Sequence, residues 1–178
     1  LNSLFVKIIK ENNVYTTNGT YIDLGCGTGI NSISFSKHFS QIFLLDISPR
    51  NIMYAKQTFK GVNIPVYFVI ADAQKLPFKD ESFEAASAFA LIEHLPDQQT
   101  FLREVDRILT KNGIFILQCP GSFYSLIDPH TGILFPQVIP KKIKDWYVKK
   151  FFPKRKTYDI WNLDQRKAFK ICKYLFQN

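Results

Sequence analysis

The chain has 178 residues and little of the chemistry that redox and metal centres need, with 3 cysteines and 3 histidines. Cys26, Cys119 and Cys172 are odd in number, far apart and without paired metal-type spacing, so neither a disulfide framework nor a zinc site is indicated. A reducing, cytoplasmic setting is the expectation. No apolar run approaches the roughly 18–20 residues of a membrane span, and no charged-then-apolar leader is read at the start, so a soluble chain is expected. There is no internal repeat and no low-complexity segment. Methionine occurs once, at Met53, and residue 1 is Leu, from which a missing initiator is expected.

What is present is a core-forming composition, 46% apolar and 15% aromatic, enough for a packed domain and too apolar for a disordered chain. The net charge of +8 is unevenly placed. Through Pro120 there are 11 basic and 11 acidic residues, whereas Gly121–Asn178 holds 12 basic and 4 acidic ones. A single domain over 1–178 is expected, with a core at 15–120 and a variable region at 121–160.

The first half alternates β-type runs with helical periodicity, the pattern of βαβ units and a parallel sheet. Five strands are predicted, at Thr20–Leu24, Ile42–Asp46, Val66–Ala71, Phe83–Ala90 and Gly113–Gln118. An opening helix carries Leu4, Phe5, Ile8 and Ile9 on one face, and another is expected near Thr28–Phe39. Ser48-Pro49 reads as N-cap and first helical residue ahead of Ile52, Ala55 and Phe59, with Gly61 as the stop. Asp97 caps a helix bearing Phe101, Leu102, Val105, Ile108 and Leu109, and Lys111-Asn112-Gly113 is expected to end it. Asp72–Asp80, with Pro77, reads as a loop. Beyond Pro120 a turn-rich stretch runs to Pro140, a basic amphipathic helix is predicted at Lys141–Phe152, and a last helix at Leu163–Phe176.

The sharpest feature is Asp23-Leu24-Gly25-Cys26-Gly27-Thr28-Gly29, a strand entering a glycine-rich turn. Glycine is required where φ is positive or where a ligand must approach a backbone bare of Cβ, and a helix starting there would aim N–H groups at an anionic ligand group. The dinucleotide fingerprint G-x-G-x-x-G fails by one residue, because its sixth position is Ile30 and the third glycine stands at Gly29. No phosphate-loop lysine follows. Asp46 ends the second strand 21 residues after Gly25, where a carboxylate can accept from both hydroxyls of a ribose. The plainer reading is an aspartate that helps cap the Ser48 helix. Asp72 ends the third strand and suits the exocyclic amine of a purine, or is simply a turn aspartate.

Together Asp23–Gly29, Leu45-Asp46-Ile47-Ser48, Ala71-Asp72-Ala73 with Leu76-Pro77-Phe78, and Glu93-His94-Leu95 after Phe83-Glu84 resemble the class I S-adenosylmethionine-dependent methyltransferases. The resemblance is to the small-molecule type found in ubiquinone biosynthesis and covers about residues 15–120. It implies an α/β, doubly wound, mostly parallel Rossmann-like sheet with helices on both faces. S-adenosylmethionine would be the cofactor and S-adenosylhomocysteine the product. By the same resemblance Asp23, Gly25, Cys26 and Gly27 hold the methionyl end, Asp46 the ribose, and Ile47 packs on adenine. Asp72 and Ala73 would bind the adenine edge. Ala88 and Phe89 would pass the methionyl group, with Phe89 either facing the sulfonium or simply packing in its strand. The family sheet has seven strands, and here the chain stops after the Leu163–Phe176 helix, so the C-terminal hairpin is expected to be missing and strand five to be an unpaired edge.

Methyl transfer is an in-line displacement in which the protein aligns nucleophile and methyl and excludes water. If the acceptor is a hydroxyl, His94 and His130 are candidates for its general base, against plainer roles as a helix-approach residue bonded to backbone for His94 and a turn residue for His130. A small-molecule, lipid or glycolipid acceptor is the leading expectation. The alternatives are an inactive cofactor binder and an RNA or protein methyltransferase. Nucleic acid is disfavoured because strand four lacks the Asn/Asp-Pro-Pro-aromatic motif and Cys119-Pro120 is out of place for a cytosine-directed nucleophile. Residues 141–156 hold eight basic and one acidic residue among Trp146, Tyr147, Phe151 and Phe152. They read either as a solvated cover helix or as a peripheral docking surface for an anionic membrane or lipid-linked acceptor.

Overall fold

The structure is a computed structural model, and it describes residues 19–118. Its centre is a five-stranded sheet of order β3-β2-β1-β4-β5, every pairing parallel. The strands are β1 (Thr20–Leu24), β2 (Gln41–Asp46), β3 (Val66–Ile70), β4 (Phe83–Phe89) and β5 (Leu109–Gln118), and two helices stand between them, α1 (Pro49–Thr58) and α2 (Gln98–Ile108). The five-stranded, doubly wound, parallel arrangement expected from the sequence is the one found. Among the described residues β5 pairs with β4 alone. The helices expected at residues 4–9, 141–152 and 163–176 lie outside the described residues.

Period-2 alternation splits the buried side chains between two faces. Tyr21, Ile42, Leu44 and Ala85 join Phe35, Phe39, Ile52, Ala55 and Phe59 in the core under α1. Ile22, Leu24, Leu45, Ala86 and Ala88 join Phe101, Leu102, Val105 and Ile108 of α2 on the other face. Both faces are apolar because both are covered, as parallel sheets require.

Both helix starts lie where the capping residues predict them. The Ser48 side chain accepts from Asn51 N–H at 3.4 Å with Pro49 as first helical residue, and Asp97 accepts from Thr100 N–H at 3.0 Å and from the Thr100 hydroxyl at 2.6 Å.

Two expectations are corrected. In place of a helix over Thr28–Phe39 there is a five-residue 3₁₀ turn, Ile33–Lys37. The segment is rich in serine, and Ser34 and Ser36 return their hydroxyls to the carbonyls of Asn31 and Ile33, which competes with helical pairing. The second correction concerns Lys111-Asn112-Gly113, which does not stop a helix. The helix ends at Ile108 and β5 starts at Leu109 with no connection between them. Phe83 pairs with Leu109 and Ala85 with Ile114, so the extra residues of β5 form a bulge. Long-range pairing with β4 overrides the local stop signal.

The Asp72–Asp80 loop is pinned by Arg107 of α2. Its guanidinium donates to Phe78 O at 2.7 Å, Leu76 O at 3.1 Å, Asp80 Oδ1 at 2.8 Å and both oxygens of Glu104 at 2.8 Å. Glu104 in turn accepts from Leu76 N–H at 2.7 Å. Lysine, with one compact ammonium, cannot serve this fork of acceptors. Arg107→Lys is therefore expected to lower the unfolding free energy by about 1–3 kcal/mol through the unpaired loop carbonyls, measured by urea denaturation.

Candidate functional site

In an open parallel sheet, ligands bind outside the carboxyl ends of the strands at the point where strand order reverses. Here the chain runs outward from β1 through β2 to β3, then returns to the other side of β1 with β4, so the reversal lies between β1 and β4. The turn after β1 is the glycine segment. Gly25, Gly27 and Gly29 all have positive φ, at 68°, 54° and 74°, a backbone that L side chains rarely adopt.

The three glycines are not equivalent. A Cβ on Gly25 would lie 2.7 Å from Leu91 Cδ1 and one on Gly29 3.0 Å from Phe59 Cε2, so at both a side chain would also press on a neighbour. A Cβ on Gly27 would meet nothing within 4 Å. Gly27 thus presents a bare, left-handed Cα to open space at the switch point, a cradle that a side chain would begin to fill.

Asp46 closes the next wall. It is 6% exposed, and its carboxylate accepts from Gly27 N–H at 2.9 Å, Ser48 N–H at 2.8 Å and the Asn51 side-chain amide at 3.2 Å to each oxygen. The plainer capping role and the placement beside the glycine turn are thus both present. The Asn51 amide nitrogen donates to both carboxylate oxygens from one side. Next to it Ile47 is 70% exposed, and Ile70 at the end of β3 is 56% exposed. An isoleucine left in water beside an anionic strand end offers the apolar surface that a planar base covers. Asp72 is exposed and organises its own turn by accepting from Gln74 N–H at 2.8 Å, while Ala73 is buried in the α2-side core.

Asp23 lies beneath the turn, 1% exposed. One oxygen accepts from the Ser32 hydroxyl and the other from the Ser87 hydroxyl at 2.9 Å, and Ser87 also bonds the Tyr21 hydroxyl at 2.6 Å. Burial lifts the Asp23 carboxyl from 3.8 to about 7, opposed by the two serine hydrogen bonds and reinforced by nearby Asp46. Burial also raises the Tyr21 phenol and the Cys26 thiol, so neither is a ready base or nucleophile. Cys26 instead ties the turn to the sheet, its N–H donating to Leu45 O at 2.9 Å.

The expected helix start behind the turn is absent, since the 3₁₀ segment begins only at Ile33 and spans five residues. Helix-dipole binding of an anionic group therefore has no support here. Ala88 is buried and Phe89 is half-buried against the α1-side core. His94 is exposed on the 3₁₀ turn Ile92–His94, and His130 lies outside the described residues. Sequence reasoning misses Tyr21, Ser32, Asn51 and Ser87. The available signal is Ser87, a lone polar residue in the buried run Ala85-Ala86-Ser87-Ala88. Among the described residues no cluster of metal-ligating side chains occurs.

A family profile described as "Methyltransferase domain" matches residues 22–117, more than half of the chain. The chain is 31% identical over 118 residues to (+)-O-methylkolavelool synthase of Herpetosiphon aurantiacus, covering 65% of the chain and 42% of the relative. It is 30% identical over 138 residues to 2-methyl-6-phytyl-1,4-hydroquinone methyltransferase 1 of Oryza sativa, covering 74% and 40%. Among solved structures it matches the YcgJ protein of Bacillus subtilis at 27% identity and a TM-score of 0.60, covering 65% of the chain and 48% of that protein. The chain thus spans about two fifths of the length of these two curated relatives.

The raised Asp23 carboxyl fixes a pH dependence. Unfolded, this group releases its proton near 3.8; folded, at about 7. The raised value favours the folded state fully below about 4, and that advantage is lost as pH rises to about 7. The interval between the two values is worth about 4 kcal/mol. Urea unfolding followed from pH 4 to 8 should show this decline, and Asp23→Asn should flatten it.

Proposed function

Since the chain belongs to the class I S-adenosylmethionine-dependent methyltransferases, the family of the matched methyltransferase domain, we propose that it moves a methyl group from that cofactor to a small, apolar, hydroxylated acceptor. The observation that carries the reading is the open left-handed Cα of Gly27 set 2.9 Å, by its N–H, from the carboxylate of Asp46. One residue offers backbone with no side chain in the way, and the other offers an acceptor pair for a diol.

When bound, S-adenosylmethionine supplies an activated methyl on a positively charged sulfur. The residues of this chain align and enclose. Asp46 would take the ribose hydroxyls in place of the Asn51 amide, and Ile47 would cover one face of the adenine. Asp72 and Ala73 would meet its edge. Gly25, Cys26 and Gly27 would line the methionyl end with backbone, and Asp23 would support them from below through Ser32. Ala88 and Phe89 would form the opposite wall. His94, at the exposed end of β4, and His130 are the candidate bases for an acceptor hydroxyl.

An isoprenoid-bearing hydroxylated acceptor is supported by two relatives whose names specify an O-methylated kolavelool and a phytyl hydroquinone. The basic and aromatic stretch 141–156 supports presentation of such an acceptor at an anionic surface.

Isothermal titration with S-adenosylhomocysteine should give one site on the full chain. Asp46→Asn should weaken it about 10- to 100-fold, the worth of hydrogen bonds to a charged group. Gly27→Ala should weaken it at least about tenfold while costing only about 1–2 kcal/mol of stability for a left-handed alanine. Absence of binding by the unaltered chain would overturn the cofactor assignment.

A further inference from the structure

Glu93 is the polar residue that the site described so far leaves unused. It sits in the 3₁₀ turn Ile92–His94, two residues beyond Leu91, whose side chain packs on Gly25. It is 2% exposed, and neither carboxyl oxygen has a hydrogen-bond partner among the described residues. Its neighbours Ile92 and Leu95 are members of the apolar core on the α2 side. Buried polar side chains are nearly always paired, and an orphaned pair of oxygens calls for a reason.

The backbone leading to Glu93 is also irregular. Ala90 has φ at 52°, a left-handed conformation for a residue with a Cβ, and is held there by its N–H bond to Gln118 O at 3.0 Å. Backbone of this kind persists where the surroundings impose it and concentrates at binding sites. The strained turn redirects the chain at the carboxyl end of β4, the strand that forms one side of the switch point.

We propose that Glu93 is the anchoring residue for the methyl acceptor, its carboxyl taking a hydrogen bond from an O–H or N–H of that molecule. This rests on the methyl-transfer reading and narrows it, because the acceptor must carry a donor next to an otherwise apolar body. A site built to receive a donor discriminates strongly against the analogue that lacks it, since the protein group is then left unpaired. Glu93 is thus a specificity element in the turn that follows β4, apart from the residues assigned to the cofactor.

The test uses the full chain loaded with S-adenosylhomocysteine and three pairs of probes, each a donor and its methyl-capped partner. These are a prenylated hydroquinone and its dimethyl ether, a long-chain alcohol and its methyl ether, and a secondary amine and its tertiary counterpart. Binding is read by tryptophan fluorescence or titration calorimetry. The unaltered chain should prefer the donor in at least one pair by about tenfold or more. Glu93→Gln should reduce that preference, and Glu93→Met should abolish it, with S-adenosylhomocysteine affinity unchanged within about twofold. Glu93→Met should also raise the thermal midpoint of the chain without ligand by about 2–4 °C, because an unpaired carboxyl is exchanged for an apolar side chain of similar volume. A chain with no donor preference in any pair overturns the proposal. So does a preference that survives Glu93→Met, or a lowered midpoint, which would make Glu93 a partnered structural residue. Loss of S-adenosylhomocysteine binding by the unaltered chain is a separate outcome that overturns the cofactor reading and with it this proposal.

Discussion

The N–H of Gly27 donating to the Asp46 carboxylate joins the turn after β1 to the end of β2. It is a charge-assisted, part-buried bond, stronger than one between neutral groups. Cys26 N–H to Leu45 O runs beside it, so two amides of the turn are fixed to two successive residues of the neighbouring strand. The left-handed glycines, the bare approach at Gly27 and the direction of the Asp46 oxygens all follow from that clasp. Move the turn by one residue and the carboxylate would face a different amide, and the open Cα would no longer stand at the reversal of strand order.

Much of this was legible. β1 appears with the expected bounds because Thr20–Leu24 is apolar around one aspartate and is followed by glycine, and both helix caps were announced by a serine or aspartate before an apolar stripe. The 3₁₀ turn was not legible, because a helix is the usual element after such a first strand, while Ser34 and Ser36 spend their hydroxyls on backbone. The start of β5 was obscured by a lysine-asparagine-glycine run that reads as punctuation in isolation and becomes a bulge when paired with β4. The contacts of Asp23 were out of reach for another reason: Ser87 is 64 residues away in the chain, and no local pattern links them. The strand ends and the glycine turn that carry the candidate cofactor residues could be located from sequence. Glu93 stands out in sequence only as the neighbour of His94, since burial without a partner is a property of the folded chain.

The polar network under the turn and the apolar surface above it serve opposite ends. Tyr21, Ser87, Asp23 and Ser32 are sealed and mutually bonded, which fixes one geometry for the floor. Ile47 and Ile70 stand in water at the strand ends and leave apolar surface above that floor. Fold and site thus meet at β1, whose inward aspartate supports the turn that its last residue begins.

The junction of α2 and β5 bears on how firmly this flank of the sheet is held. Helix and strand share a peptide bond, with no linker to absorb rotation, so α2 cannot swing without tearing the first rungs of the β4–β5 ladder. Helix and strand are thus one continuous, hydrogen-bonded unit. The loop after β3 is clamped to that same unit through Arg107. The loop after β3, α2 and the start of β5 are therefore cross-bonded into a single plate, with Arg107 as the rivet.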